Sequence, residues 1–185
     1  IGTVPRHEFV NFTMRHLAYE DKALPIGSSQ TISQPYTVAI MTQSLDVKSG
    51  DTVLEIGTGS GYQAAVLHAM GVKVYSIEKE RGLLNETKKI LQRPNLPVQT
   101  RYGDGTIGWN EHAPYDGIIV TAGSPEIPVS LKKQLKISAR MIIPVGDKKA
   151  QNLHVITRVD EENFNAEIIP GFRFVPLIGR EGWQA

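Results

Sequence analysis

Residues 52–62 read Thr-Val-Leu-Glu-Ile-Gly-Thr-Gly-Ser-Gly-Tyr, a short apolar run followed by glycines at three alternate positions, Gly57, Gly59 and Gly61. The apolar run predicts a buried strand over 52–57, and the pattern after it predicts a helix over 62–70. Without a Cβ, glycine permits a sharp strand-to-helix turn and close approach of the backbone to a ligand. The stretch therefore predicts an α/β fold with a ligand-binding loop, although a tight turn without a ligand would use the same glycines.

The spacing of these glycines distinguishes between cofactors. A dinucleotide fingerprint, G-x-G-x-x-G, would place its third glycine at position 62, which is tyrosine, so a nicotinamide dehydrogenase is disfavoured. The form found here, E-x-G-x-G-x-G, resembles the first motif of Rossmann-like S-adenosylmethionine-dependent methyltransferases. The resemblance implies cofactor contacts along this stretch from Glu55, Gly57, Thr58, Gly59 and Gly61.

Strands and helices alternate on the carboxyl side of this loop. The pattern predicts strands over 72–77, 98–102, 117–121 and 140–145, and helices over 81–92, ended by Pro94, and 128–135. It predicts earlier helices over 5–19 and Pro35–Leu45, and later, antiparallel strands over 153–159 and 166–174. Such alternation indicates a mostly parallel central sheet with helices on both faces. Ligands bind such sheets at the carboxyl ends of the strands.

Two acidic residues stand at such strand ends. Glu78 follows Gly57 by 21 positions, close to the offset of a ribose-binding carboxylate, whose two oxygens can accept both ribose hydroxyls. Asp104 lies in Gly103-Asp104-Gly105, where the carboxylate can accept from an adenine amino group and Gly105 leaves room for the ring. The backbone of Lys79 can line the same pocket. The alternatives are a solvated acid at Glu78 and an ordinary Asp-Gly turn at Asp104.

The composition limits the protein's class and partners. The chain has 185 residues, a net charge of +1, no cysteine, no clustered histidines and no apolar run near the roughly 20 residues of a membrane span. We expect one domain over 1–185, with 1–50 covering the site, a core over 51–150 and terminal strands over 151–185. We also expect a cytoplasmic protein with no nucleic-acid, membrane or metal partner. Because Ile1 is not an initiator methionine, the native N-terminus is expected upstream.

Residues 26–36, Ile-Gly-Ser-Ser-Gln-Thr-Ile-Ser-Gln-Pro-Tyr, resemble the stretch that marks protein-L-isoaspartate O-methyltransferases, and so do 102–108, 113–120 and 174–177. One departure is Ile137-Ser138-Ala139, where the family usually has a glycine-containing turn before the fifth strand. The resemblance implies methyl transfer from S-adenosylmethionine to the free carboxylate of isoaspartyl residues in proteins and peptides. It implies S-adenosylhomocysteine as product, a succinimide on the repair path, and no metal.

The resemblance also implies residue roles. Ser33 occupies the position of the active-site serine, and Thr31, Ile32 and Ser33 are implied to contact the cofactor. The implied substrate contacts are Thr31, Ser33, Phe174, Val175, Pro176 and Leu177. A carboxylate nucleophile is already ionised at neutral pH, so a hydroxyl that orients it suffices and no general base is needed.

Some alternatives stay open at this point. Ser33 can be a helix N-cap, because Pro35 opens the next helix, and 173–177 can be an ordinary edge strand. The methyl acceptor can belong to another class, such as RNA or a small metabolite, although 120–125 lack the Asn/Asp-Pro-Pro-aromatic tetrad of adenine methyltransferases. A non-catalytic cofactor-binding module is a further alternative, but it would not need the polar stretch at 27–34.

Overall fold

A seven-stranded sheet and a separate hairpin organise the computed structural model, which describes residues 1–92 and 96–184. The strands are β1 Leu24–Gly27, β2 Gln30–Ile32, β3 Thr52–Ile56, β4 Lys73–Glu78, β5 Gln99–Tyr102, β6 Tyr115–Val120, β7 Leu135–Gly146, β8 Gln151–Arg158 and β9 Phe164–Phe172. The α-helices are α1 Pro35–Leu45, α2 Tyr62–Ala69, α3 Arg81–Leu91 and α4 Val129–Lys133. The predicted helix end at Pro94 lies outside the described residues.

The sheet has the strand order β5-β4-β3-β6-β7-β8-β9. Strands β3 to β7 run parallel, while β8 and β9 run antiparallel to their neighbours. From β3 the chain builds outward to β5, then returns to the other side of β3 as β6, so the strand order reverses beside β3. The predicted mostly parallel sheet is confirmed, and its switch point lies where the glycine loop begins.

Alternate residues of β3 face two buried layers. Val53 packs with Met41 of α1 and Leu67 of α2, whereas Leu54 packs on the opposite face with Tyr115 and with Leu131 of α4. Both faces of the sheet are therefore covered by helices, as predicted, and the near-continuous apolar character of β3 follows from its burial on both sides. Glu55 is the exception in this strand, with a fully buried side chain on the α1 and α2 face.

The N-terminal segment differs from the predicted helix over 5–19. It forms two short 3₁₀ helices, Arg6–Phe9 and Phe12–Leu17, separated by extended backbone at Val10 and Asn11. Phe9 and Val10 are adjacent in sequence and both buried, which one continuous helix face does not accommodate easily. The buried guanidinium of Arg6 donates to the carbonyl of Ala18 at 2.7 Å and so fastens the segment's two ends together.

The polar stretch predicted as a loop contains the β1–β2 hairpin. Its two turn residues, Ser28 and Ser29, have φ of 49° and 55°, the left-handed values that a two-residue hairpin turn requires. Serine rarely adopts this conformation. The Asn-Gly pair that usually signals such a turn is absent here, so the sequence did not predict the hairpin. The hairpin holds 30–32 directly before α1, at the carboxyl edge of the sheet.

Strand β7 begins at Leu135, earlier than the predicted strand over 140–145. Within it Ser138 has φ of 68°, at the place where the sequence departs from the glycine-containing turn. A left-handed residue here marks a turn-like irregularity that glycine would accommodate with less strain.

In the described part of the chain, no helix combines the length and apolar character needed to cross a membrane.

Candidate functional site

The glycine loop over 57–61 is fixed by side chains from three other elements. All three of its glycines have positive φ, 93° at Gly57, 52° at Gly59 and 85° at Gly61. Thr121, just after β6, donates to the carbonyl of Gly57 at 2.7 Å, and a Cβ at Gly57 would collide with that hydroxyl. The hydroxyl of Thr87 on α3 donates to the carbonyl of Gly59 at 2.5 Å. The loop is therefore held rigidly, with no room for a side chain where it turns.

Glu78 ends β4 with its carboxylate held by backbone donors. Its Oε2 accepts the N–H of Gly59 at 2.8 Å, and its Oε1 accepts the N–H groups of Lys79 and Glu80, each at 2.9 Å. The residue is only 7% exposed. A carboxylate has roughly four lone-pair positions and three are occupied here, so one position on Oε2 stays free for a hydroxyl donor in a fixed orientation.

Glu55 lies beneath the glycine loop. Its Oε2 lies 2.5 Å from the hydroxyl of Ser76, and Ser76 in turn lies 2.6 Å from the hydroxyl of Thr58. Burial raises the pKa of Glu55 to about 8, since the Ser76 hydrogen bond only partly opposes it and the nearby charge of Glu78 adds to it. The structure thus directs the Glu55 carboxyl to buried hydroxyls, and it lines none of the cavities described below.

Substituting Glu55 with glutamine is expected to remove a pH dependence of stability. The folded protein keeps the Glu55 proton up to about pH 8, whereas the unfolded chain releases it above roughly pH 4.3. Between these values folding binds a proton, so the free energy of unfolding falls as pH rises, by on the order of 1 kcal/mol per pH unit.

Urea unfolding from pH 5 to 9 measures the effect as a difference between the two proteins. The free energy of unfolding of E55Q should rise relative to that of the wild type up to about pH 8. Above that pH the two free energies should change in parallel. Parallel curves over the whole range would show that Glu55 titrates normally.

Three adjoining cavities follow the carboxyl edge of the sheet. The first, the loop cavity, lies over the glycine loop and is lined by Thr31, Ile32, Ser33, Val38, Met41, Gly57, Thr58, Gly59, Ser60, Tyr62, Gln63 and Thr121. The second, the edge cavity, is lined by Gln30, Ile56, Gly57, Ile77, Lys79, Glu80, Gly105, Ala122, Pro176, Leu177 and Ile178. The third, the rim cavity, is lined by Ala23, Thr31, Ser33, Gln34, Thr37, Thr121, Arg173, Phe174 and Val175.

Shared lining residues make the three cavities neighbours. Gly57 lines both the edge cavity and the loop cavity, while Thr31, Ser33 and Thr121 line both the loop cavity and the rim cavity. Three hydroxyl groups therefore surround the junction where a molecule in the loop cavity would meet one in the rim cavity. The sequence patterns singled out neither Thr121 nor Arg173 as a site residue. The available signal was that Thr121 is the last residue of the fourth predicted strand.

Ser33 presents an uncommitted hydroxyl at this junction. Within the described residues its side chain makes no hydrogen bond, and it is half-buried. The N-cap interpretation is wrong, because Gln34 is the N-cap of α1 and the first-turn N–H of Tyr36 is donated to the side chain of Asp21 at 2.8 Å, not to Ser33. The helix begins at Pro35, whose missing N–H needs no partner there. The Ser33 hydroxyl is thus available to a ligand.

Asp104 contacts the C-terminal segment of the chain. Its Oδ1 accepts the N–H and hydroxyl of Thr106, and its Oδ2 accepts the N–H of Arg180 at 2.8 Å. Burial by itself would raise the pKa of Asp104, but these hydrogen bonds outweigh it and lower the pKa. Gly105, and not Asp104, lines the edge cavity. Similarly, Gly61 faces α3 rather than a cavity.

Residues 173–178, called the tail below, cross two of the cavities. Phe174 and Val175 line the rim cavity, but Pro176 and Leu177 line the edge cavity. One edge of the tail is already paired with Gly123, which donates to the carbonyl of Val175 and accepts from the N–H of Leu177, both at 2.8 Å. The tail is therefore more than an ordinary edge strand, since it closes one wall of both cavities.

No cluster of three or more acidic or histidine side chains suited to a metal ion occurs in the parts of the chain that the structure describes. The polar groups that do line the cavities are mainly hydroxyls, backbone amides and carbonyls. Such groups suit an organic ligand with hydroxyl and amide donors and acceptors.

Comparison with known proteins relates this arrangement to one family. The family model described as protein-L-isoaspartate(D-aspartate) O-methyltransferase matches residues 1–182. A relative of that name from Chlorobaculum tepidum is 54% identical over 98% of this chain and 85% of its own length. Another, from Cytophaga hutchinsonii, is 49% identical over 100% of this chain and 84% of its own.

Solved structures share the fold of this chain. A structure named protein-L-isoaspartate O-methyltransferase superposes with a TM-score of 0.86 at 30% identity, over 97% of this chain and 60% of that one. A Plasmodium falciparum protein, described as a putative member in complex with S-adenosyl-L-homocysteine, superposes with a TM-score of 0.76 at 24% identity, over 95% of this chain and 86% of its own, and supports the fold. The match along nearly the whole sequence carries the assignment: the chain belongs to the protein-L-isoaspartate (D-aspartate) O-methyltransferase family.

Proposed function

We propose that this chain transfers the methyl group of S-adenosylmethionine to the free carboxylate of L-isoaspartyl residues in proteins and peptides. The observation that carries the proposal is the row of three adjoining cavities, with the hydroxyls of Thr31, Ser33 and Thr121 at the junction of the loop and rim cavities. The Glu78 carboxylate lines none of these cavities but accepts the N–H of Gly59, which lines the loop cavity. Membership in the family supplies the reaction class.

The residues of the first two cavities fit the cofactor. Glu78 retains one free acceptor position, on Oε2, for a ribose hydroxyl. Gly57 and Gly105 leave space that a Cβ would fill, since one would strike Thr121 and the other Ile56. We assign the adenine to the edge cavity, with the backbone of Lys79 and the apolar residues Ile77 and Leu177 around it. We assign the amino-acid part to the loop cavity, beside Thr31, Ile32 and Ser33.

For this reaction the protein has mainly to align the acceptor carboxylate with the methyl group and to exclude water. Bound S-adenosylmethionine supplies an electrophilic methyl group on a sulfonium and leaves as S-adenosylhomocysteine. Ser33 and Thr31 donate hydrogen bonds to the acceptor carboxylate and aim one oxygen at the methyl carbon. Hydroxyl donors leave that carboxylate ionised and nucleophilic, so no general base is assigned. Correct alignment of this kind can lower a barrier by roughly 7–11 kcal/mol in favourable cases.

The rim cavity suits a main chain rather than one particular side chain. Its wall comes from Phe174 and Val175, and the outer edge of the tail, which faces away from Gly123, can receive an extended peptide through backbone hydrogen bonds. The N–H of Phe174 is already donated to Gln151 at 2.7 Å, and Pro176 has none, so carbonyl oxygens provide this edge. Recognition of backbone groups would admit many different damaged proteins.

The proposal keeps the expected organisation as one domain, with 1–50 over the site, 51–150 as the core and 151–185 as terminal strands. Isoaspartyl proteins and peptides are its partners. The cysteine-free sequence favours a reducing cytoplasm as the compartment.

A pair of peptides that differ only at one residue tests the function. We expect methyl transfer from radiolabelled S-adenosylmethionine to a peptide with one isoaspartyl residue, and at least about 100-fold less transfer to its aspartyl twin. Displacement of the carboxylate by one methylene costs roughly that factor when alignment provides the catalysis. Equal labelling of both peptides would contradict the proposed acceptor, and labelling of neither, with RNA or a metabolite labelled instead, would replace it.

A further inference from the structure

Three buried side chains connect the interior of the sheet to the loop cavity. Glu55 on β3 and Ser76 on β4 are register neighbours in the parallel pair, and the hydroxyl of Thr58 follows at 2.6 Å from that of Ser76. Glu55 and Ser76 are 0% exposed and Thr58 is 3% exposed. Thr58 is also a lining residue of the loop cavity. The chain of oxygens therefore runs from a sealed carboxyl group to the surface of the site.

The direction of such a chain depends on one proton. A hydroxyl has a single proton to donate, so neighbouring hydroxyls in a row must all point the same way. If Glu55 is ionised, Ser76 donates to it, Thr58 donates to Ser76, and only lone pairs of Thr58 face the cavity. If Glu55 carries a proton, it donates to Ser76, Ser76 donates to Thr58, and the Thr58 proton turns to the cavity.

We propose that Glu55 and Ser76 are positioning residues that make the Thr58 hydroxyl a donor to the carboxylate of the cofactor's amino-acid part. The inference rests on the proposed function, because it requires that the amino-acid part of the cofactor occupy the loop cavity. Helix α2 begins four residues after Thr58, at Tyr62. An anion is favoured beside Thr58 because the N-terminus of a helix carries a partial positive charge. Thr58 would then add a directed hydrogen bond that the backbone amides cannot supply alone.

The surroundings of Glu55 support its neutral form. Its Oε1 makes no hydrogen bond of ordinary geometry among the described residues, and the backbone N–H of Ala64 favours the charged form less than burial opposes it, so a negative charge there would be poorly supported. On the neighbouring strand Glu78 adds a second negative charge, and the facing residue of β6 is the apolar Ile119. Helix α1 has no ionisable residue apart from Tyr36 in its first turn, and the described residues of α2 add Tyr62 and His68. No cation among these groups holds the carboxylate ionised.

Binding of S-adenosylhomocysteine across a pH range tests the relay. This ligand has the amino-acid part but no sulfonium charge, so its dissociation constant reports the carboxylate end. From pH 6.5 to 9.5 we expect the wild-type constant to rise about tenfold more than that of E55Q, as a hydrogen bond to a charged group is lost. The titration of the ligand's own amine is common to both proteins and cancels in this ratio.

Two further variants separate the relay from a simple charge effect. S76A leaves Glu55 able to titrate but breaks the hydrogen-bond path to Thr58, and T58V removes the final hydroxyl at constant volume. In both variants the dissociation constant should therefore depend on pH as it does in E55Q. Infrared difference spectra of the wild type should contain a carboxylic-acid carbonyl band at pH 6.5 that is absent in E55Q. If E55Q does not fold, comparison of S76A and T58V with the wild type still tests the relay. A wild-type profile in S76A would overturn the relay, and failure of the wild type to bind at any pH would overturn the proposed function instead.

Discussion

Replacing Glu78 with alanine is expected to weaken the binding of S-adenosylmethionine between about 10- and 150-fold. A hydrogen bond from a ribose hydroxyl to a charged acceptor would be lost, which contributes roughly 1.5–3 kcal/mol. The same substitution removes the acceptor of the Gly59, Lys79 and Glu80 N–H groups, so the glycine loop would lose an anchor as well. Isothermal titration calorimetry measures the affinity, and urea unfolding reports the loop's share of the change.

Two matched variants make the result specific. Glu78→Asp keeps the charge but withdraws it by one methylene, so an intermediate affinity is expected. Glu86→Gln removes an acid from the exposed face of α3, where it pairs with Lys89, and should bind the cofactor as the wild type does. Unaltered affinity in E78A, with E86Q as reference, would refute the ribose assignment.

Local patterns predicted the central part of the fold and one end of the site. The loop over 57–61 and the Glu78 position were predictable because close backbone approach requires glycine at fixed spacing and because strand ends meet at one edge of a parallel sheet. The structure adds the reason Glu78 is well oriented, three backbone donors that no spacing rule specifies.

The remaining features depend on contacts between distant residues. Asp104 has an Asp-Gly pattern typical of a turn, but its partner Arg180 lies 76 positions away. The clamp of Gly57 by Thr121 spans 64 positions. The left-handed Ser28 and Ser29 were not predictable, because pairing of β1 with β2 imposes a conformation that serine alone disfavours. Tertiary contacts thus determined the features that sequence patterns missed.

Replacing Ser33 with alanine is expected to lower kcat by about 10²- to 10³-fold while leaving the affinity for S-adenosylmethionine within about twofold. The reason is that Ser33 lies at the junction of the loop and rim cavities with its hydroxyl uncommitted, so its loss misaligns the acceptor carboxylate without removing the contacts of the nucleoside. Misplacement of reacting groups by about 1 Å can cost roughly 10² in rate.

Serine at a different place on the same segment provides the control. Ser44 lies in the last turn of α1 and lines none of the three cavities, so S44A should retain wild-type turnover. Thr31→Val in the S33A background tests whether the two hydroxyls act together, since a shared task predicts that the double variant loses less than the product of the single losses. Calorimetry for the cofactor and a radiolabelled methyl assay for turnover separate binding from alignment. Wild-type turnover in S33A would remove Ser33 from the mechanism, and Thr31 would then have to align the acceptor, because Thr121 already donates its proton to the carbonyl of Gly57.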